Sequence, residues 1–178
     1  IQTTENKAEI VSIAHFLSMP MVRIPEYQRP YKWEEKNVVQ LIEDIFFFRH
    51  QNGYRFGTIV IHVNELNENN QKVVYNDIVD GQQRYTTLRL LIYALHQLVN
   101  RSNKFQTSTI VLLNELKTKL DAIDLNYKTK SSIENIHRNY QLIKRSVQHF
   151  DDETIFNFIQ KFEVVIFYIH DITEAFQF

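Results

Sequence analysis

The sequence predicts an α+β fold, a small mixed β-sheet packed against helices and carrying a helical annex. Three observations support this. Apolar residues recur at helical spacing in several separate windows. Three short windows, 56–63, 73–79 and 164–169, are instead dense in β-branched and aromatic residues. Two of those windows are adjacent enough to form a hairpin, and the third follows a stretch that reads as helices only.

Taken in order, Ile10, Ile13, Ala14 and Leu17 predict a first helix that ends before Pro20. Val22-Arg23-Ile24 reads as a short strand. Pro20, Pro25 and Pro30 all fall in the next eleven-residue region, which is therefore extended and stiff. Val38, Leu41, Ile42, Ile45 and Phe48 give a second helix starting near Trp33. Phe56 to Val63 is a strand and Val73 to Val79 its hairpin partner, with a polar loop between them containing Asn64, Glu65, Asn67, Glu68, Asn69 and Asn70. After Gly81, the residues Leu88, Leu91, Ile92, Leu95 and Leu98 mark one face of a long helix reaching about Val99. Ile110, Leu113, Leu116 and Leu120 predict another helix. Ile133, Ile136, Tyr140, Ile143 and Val147 predict the next, and Ile155, Phe158, Ile159 and Phe162 a short one. A late strand covers Val164 to Ile169, and Thr173 to Phe176 begins a further helix. The expected division is a core at 1–99, a helical annex at 100–162, and a returning strand and helix start at 163–178. The chain opens on Ile1 and stops at Phe178 inside an apparent helix, so it reads as a piece of a longer protein.

Composition narrows the function. Among 178 residues, 44% are hydrophobic, enough for a true core. Cysteine is absent, which removes thiol nucleophiles, disulfides and cysteine-ligated zinc and fits the cytoplasm. No apolar run approaches the ~18 residues of a membrane span. The seven histidines form no pair at i, i+3 or i, i+4. A P-loop run and the local signature of serine acyl transfer are both missing. Net charge is −1, so the chain as a whole does not attract nucleic acid. Residues 101–145 nevertheless hold nine Lys/Arg against four acids, and residues 146–178 hold one Lys against six. The basic segment reads either as a DNA-facing surface or as a solvated helix face.

Two constellations carry chemistry. In Asp80-Gly81-Gln82-Gln83-Arg84 a strand meets a helix through one glycine. Gly81 permits φ > 0 and close approach to the backbone. The first helical turn presents unpaired N–H groups at the positive end of the helix dipole. Gln82 and Gln83 add amide donors, and Arg84 adds a guanidinium fork suited to phosphate. Extrapolated one turn back, the apolar face of the helix reaches Arg84, which places that cation on the buried line. Asp80 stands where it could hold Mg²⁺ or polarise water. The plain alternative is a strand-to-helix turn in which Asp80 and Arg84 form an ion pair. The second constellation is Ile24-Pro25-Glu26-Tyr27-Gln28-Arg29-Pro30-Tyr31-Lys32-Trp33. Its aromatics can stack on a base and Arg29 can reach a phosphate. The alternative is a proline-rich linker whose aromatics, Trp33 above all, cap the core.

Together with Leu41-Ile42-Glu43-Asp44-Ile45 and Gly57-Thr58-Ile59-Val60, these two motifs resemble the N-terminal domain of GmrSD-type restriction proteins, in the ParB/sulfiredoxin-like superfamily. The motif-bearing stretch is 22–95, and the strand and helix near Phe167 to Phe176 resemble the family's next block. The helices at 100–160 are not diagnostic. The resemblance implies a nucleotide-binding, NTP-hydrolysing domain of a phage-defence protein that restricts modified DNA. It implies a ParB-like sheet and a nucleoside triphosphate (GTP, UTP or another) with Mg²⁺. Tyr27, Gln28, Arg29, Gly81, Gln82, Gln83 and Arg84 would bind the nucleotide. Asp80 and Arg84 would be catalytic, and Asp80 the metal ligand. The implied partners are modified phage DNA, met through the whole protein, and a C-terminal nuclease domain or partner subunit. A homodimer is among the arrangements left open, and no membrane is involved. The family usually has Leu where this chain has Tyr85, which reads as a packing change beside the pocket. Two other functions remain in view: a ParB-like nuclease acting on DNA through the same site, for which Asp77 and Asp80 do not clearly converge, and a non-enzymatic module that reads modified DNA or docks a partner through its basic helices.

Overall fold

The computed structural model describes residues 7–26 and 30–170. A five-stranded mixed sheet and six helices make up these residues, so the fold is α+β. The strands are β1 (Lys7–Ser12), β2 (Val22–Arg23), β3 (Arg55–Glu68), β4 (Gln71–Asp80) and β5 (Glu163–Ile169). The helices are α1 (Ile13–Leu17), α2 (Glu35–Phe47), α3 (Gln82–Asn100), α4 (Thr107–Asp121), α5 (Lys130–Ser146) and α6 (Asp152–Lys161). Strand order is β1-β5-β3-β4-β2. β5 runs parallel to β3 and β2 parallel to β4, while β1 with β5 and β3 with β4 are antiparallel.

The helices cover one sheet face. Ile59, Ile61, Ile78, Val164 and Ile166 point from the strands into a cluster shared with Leu88, Leu91, Ile92 and Leu95 of α3, Leu113 and Leu116 of α4, Ile143 of α5 and Phe158 of α6. Alternation along the strands sends Val60 and Ile169 to the opposite face, where they join Val79 and Phe167 in a smaller cluster. Aromatic rings fill the end of the sheet near β5. Tyr54, Phe56, Phe158 and Phe162 meet there at centroid distances of 5.3–6.1 Å, and Tyr54 stacks on Phe48 at 4.2 Å.

Two expectations from the sequence need correction. The helix predicted from Ile10 to Leu17 is a strand followed by a short helix. Residues 7–12 complete the sheet edge by pairing with β5, from Lys7 opposite Tyr168 to Ser12 opposite Glu163. The Ser12 side chain then accepts the His15 N–H at 3.1 Å and starts α1. Ile10, assigned to the buried line, is 47% exposed on β1. The polar loop predicted between the central strands is also mostly ladder. Pairing continues to Glu68 opposite Gln71, and only Asn69 and Asn70 turn the chain, with φ of 51° and 63°. Positive φ at both central residues suits the tightest hairpin turns, and Asn tolerates it. The ribbon is solvated on both faces, so no apolar alternation marks it in the sequence.

Thr173 to Phe176 lies outside the described residues, as do Tyr27, Gln28 and Arg29.

Tyr85 is fully buried in the core, its ring edge-on to Phe16 at 5.4 Å, and its hydroxyl has no hydrogen-bond partner. Burial pushes its phenol well above the ordinary range. A buried hydroxyl without a partner lowers stability. Tyr85→Phe should therefore raise the urea midpoint, by up to ~1 kcal/mol in unfolding free energy. A loss of stability in that variant would show that the hydroxyl is satisfied.

Candidate functional site

The strand-to-helix turn is built by two local devices. Opposite Val60 and Ile61 of β3 stand Asp80 and Ile78 of β4, so Val79 is an extra residue in the ladder. This bulge ends pairing one residue before the turn. Gly81 then adopts φ 94°, ψ 12°, and a Cβ there would run into Ile59 Cδ1. Glycine is required both for the left-handed backbone and for the close packing. No side chain caps the first turn of α3. The N–H groups of Gln82, Gln83 and Arg84 thus have no intrahelical partner at the positive end of a 19-residue helix.

Arg84 leaves this turn and extends toward β3. A Cβ on Gly57 would stand 2.6 Å from its Nη1, so the glycine, at φ 115°, opens the space that the guanidinium uses. Arg84 is half-buried, its Nε is buried without a partner, and no carboxylate lies within ion-pair distance among the described residues. Burial pulls its pKa down from the ordinary arginine value, while Tyr54, Asp80 and Asp44 oppose that shift. The expected alternative, an Asp80–Arg84 ion pair, is not formed. Asp80 is exposed at the end of β4.

The guanidinium lines a cleft of about 210 Å³ between α2 and the start of β3. Its other walls are Trp33, Asn37, Gln40, Leu41, Asp44, Tyr54, Arg55 and Phe56. Two arginines, one carboxylate, amide groups and an indole therefore converge. Gly81, Gln82 and Asp80 are not among the lining residues. Sequence reasoning did not single out Arg55, or Asn37, Gln40 and Asp44. The latter three recur at i, i+3 and i+7 beside the apolar positions of α2, and in a sequence that pattern is the solvated flank of any amphipathic helix.

Gln83 faces the other way. Its Oε1 accepts the N–H groups of Lys32 at 2.7 Å and Trp33 at 3.2 Å, and its Nε2 donates to Pro30 O at 2.8 Å. Helix α5 supplies the opposing clamp. Ser132 Oγ accepts the Tyr31 N–H at 2.9 Å, and Asn135 donates to Tyr31 O at 2.8 Å. Arg138 and Asn139 both donate to Trp33 O, at 3.0 and 2.9 Å. Tyr31 itself is 1% exposed. Its hydroxyl bonds Thr87 Oγ1 at 2.7 Å and accepts from Asn139 Nδ2 at 3.0 Å. The chain is thus fixed immediately after Tyr27, Gln28 and Arg29. Trp33 precedes the α2 cap residue Glu34, with Val38 at the fourth helical position, the arrangement of a hydrophobic staple. The polar spacing Ser132, Asn135, Asn139 on a helix is the signal that could have exposed this clamp.

Asp77 is committed elsewhere. Arg23 holds it with two bonds of 2.7 and 2.9 Å while lying 3.7 Å above the Tyr75 ring, and Asn64 donates to it at 3.1 Å. It does not join Asp80 as a ligand pair. Among the described residues, no group of three His, Cys, Asp or Glu comes together for a metal. In the basic segment, Lys117 and Lys130 pair with acids one turn away, Asp121 and Glu134. No helix among the described residues is long and apolar enough to cross a membrane.

The site is thus a sheet-to-helix glycine turn whose arginine, without an ion pair among the described residues, points into a polar cleft. A family model described as GmrSD restriction endonuclease, N-terminal domain, matches residues 12–178, and the chain belongs to that family. Membership gives it a role in a restriction system, with DNA as the molecule restricted. No curated protein matches the chain.

Gln83→Ala should remove three bonds to the Pro30–Trp33 segment and cost ~1–3 kcal/mol of stability. Gln82→Ala, which breaks no such bond, should stay within ~0.5 kcal/mol of wild type. Equal thermal midpoints for the two variants would contradict the clamp.

Proposed function

We propose that this domain binds a nucleoside triphosphate at the Arg84 cleft and hydrolyses it to control DNA restriction by the whole protein. The observation that carries the proposal is the state of Arg84. A half-buried guanidinium with an orphaned Nε and no ion pair among the described residues is costly unless an anion joins it. Phosphate is the anion its planar fork suits best. Arg55 lines the same cleft, and the open first turn of α3 adds backbone donors beside it. Trp33 offers an aromatic face for a base.

The residues serve positioning and charge neutralisation, which dominate phosphoryl transfer. Arg84, Arg55 and the α3 amides would hold the phosphates, with Gln82 at the rim. Tyr27, Gln28 and Arg29, adjacent in sequence to the clamped Pro30–Trp33 segment, would approach from the far side. Gln83 would act mainly by holding that segment. In hydrolysis, water attacks the γ-phosphorus and the bond to the bridging oxygen breaks, leaving a nucleoside diphosphate and inorganic phosphate, which keeps one of the two water protons while the other passes to solvent. Mg²⁺ would neutralise phosphate charge. It is usually held by one or two carboxylates together with the phosphates themselves, and a site without a three-ligand cluster among the described residues is compatible with that. The sequence motif offers Asp80 for this. Cleavage of modified phage DNA is assigned to a C-terminal nuclease domain or partner subunit.

Labelled GTP, UTP, CTP and ATP should be titrated against wild type and Arg84→Ala. At least one should bind wild type, and the variant should lose about 10–100-fold in affinity, the value of one or two charge-assisted bonds. Equal weak binding by both proteins would sink the reading.

A further inference from the structure

We propose that Asp44 of α2, rather than Asp80, is the carboxylate that holds a divalent cation against the bound phosphates. This rests on the phosphate reading of the Arg84 cleft and names the metal ligand within it. Position is the first argument. Asp44 lines the cleft with Arg84 and Arg55, and Asp80 does not. Asp44 is half-buried on a helix, whereas Asp80 is exposed at the last paired position of a bulged strand. A metal ligand on a packed helix is held more closely than one at a turn.

The second argument is what surrounds it. Gln40, one turn earlier and also in the cleft, donates its Nε2 to Asp44 Oδ1 at 2.8 Å. Such a bond fixes the group's orientation, as outer partners of metal-binding carboxylates do. Tyr54 stands beside it, anchored by stacking on Phe48 at 4.2 Å. The Tyr54 phenol is pushed up by burial and then by Asp44, so it stays a neutral donor.

The third argument is the gap. Asp80 and Asp44 both favour the charge on Arg84, but only Asp44 faces it within the cleft, and Asp44 and Arg84 form no ion pair. Opposite charges that face one cleft without touching can hold a ligand carrying both signs. A Mg²⁺–triphosphate is such a ligand, with its phosphate oxygens toward the arginines and its cation toward the carboxylate. A bare triphosphate would be repelled by Asp44. The residue therefore couples nucleotide affinity to the metal.

The test is the affinity for the β,γ-imido analogues of GTP, UTP, CTP and ATP, measured in EDTA and in saturating Mg²⁺. Wild type, Asp44→Asn, Asp44→Glu and Asp80→Asn are compared, each checked for an unchanged far-ultraviolet spectrum. In Mg²⁺, Asp44→Asn should bind at least tenfold more weakly than wild type. In EDTA it should bind as tightly as wild type or more tightly, because the repelling charge is gone. That crossover is not expected of a residue that only supports the fold. Asp44→Glu should regain part of the Mg²⁺ response, and Asp80→Asn should lose less of that response than Asp44→Asn does. A normal Mg²⁺ response in Asp44→Asn overturns the inference, as does its loss in Asp80→Asn alone. If wild type binds none of the analogues in either condition, the phosphate reading fails as well.

Discussion

The chain from Pro30 to Trp33 is neither helix nor strand, yet it seats Tyr31 in the core, so its peptide groups need partners outside any ladder. Buried N–H and C=O groups left unpaired are too costly to tolerate. The partners come from side chains on two helices far away in sequence. Gln83 of α3 reaches Pro30, Lys32 and Trp33, and Ser132, Asn135, Arg138 and Asn139 of α5 reach Tyr31 and Trp33. This requirement joins the first motif to the second. It also makes α5 part of the framework that fixes the entry to α2, and so one wall of the cleft.

The same framework explains how an unpaired arginine is kept in place. Arg84 follows a turn whose geometry depends on the Val79 bulge and on Gly81, and it extends into room left by Gly57. These features are backbone arrangements on the sheet, so the guanidinium is held without an ion pair to any carboxylate of the described residues. Nearby acids are otherwise disposed. Asp77 is taken by Arg23, Asp80 is in solvent, and Asp44 is tied to Gln40 one turn away on α2. The charge is left available, which is what a phosphate site needs.

Much of this was legible in the chain. Leu88, Leu91, Ile92 and Leu95 marked the buried face of α3, and all four are fully buried. Extending that line to Arg84 placed the cation inward, and it is half-buried. The late strand was visible in Val164 to Ile169. The first strand was not, because Ile10, Ile13, Ala14 and Leu17 imitate a helical face, and only the free edge of β5 draws residues 7–12 into the sheet. The length of the hairpin was hidden for a different reason, since a ribbon wet on both faces carries no apolar alternation.

The sequence by itself determined the local devices. A glycine between strand and helix, a proline-stiffened segment and the apolar helical faces each act over a few residues, so their spacing is readable. Tertiary structure alone decided what Asp44, Gln83 and Asn139 do. Each is a polar residue on an amphipathic helix, Asp44 and Gln83 half-buried and Asn139 wholly buried, and spacing alone does not tell these apart. The role of each depends on which element lies opposite, and for Gln83 that element is some fifty residues away in the chain. Long-range packing, not spacing, separates a clamp or a cleft carboxylate from an ordinary solvated side chain.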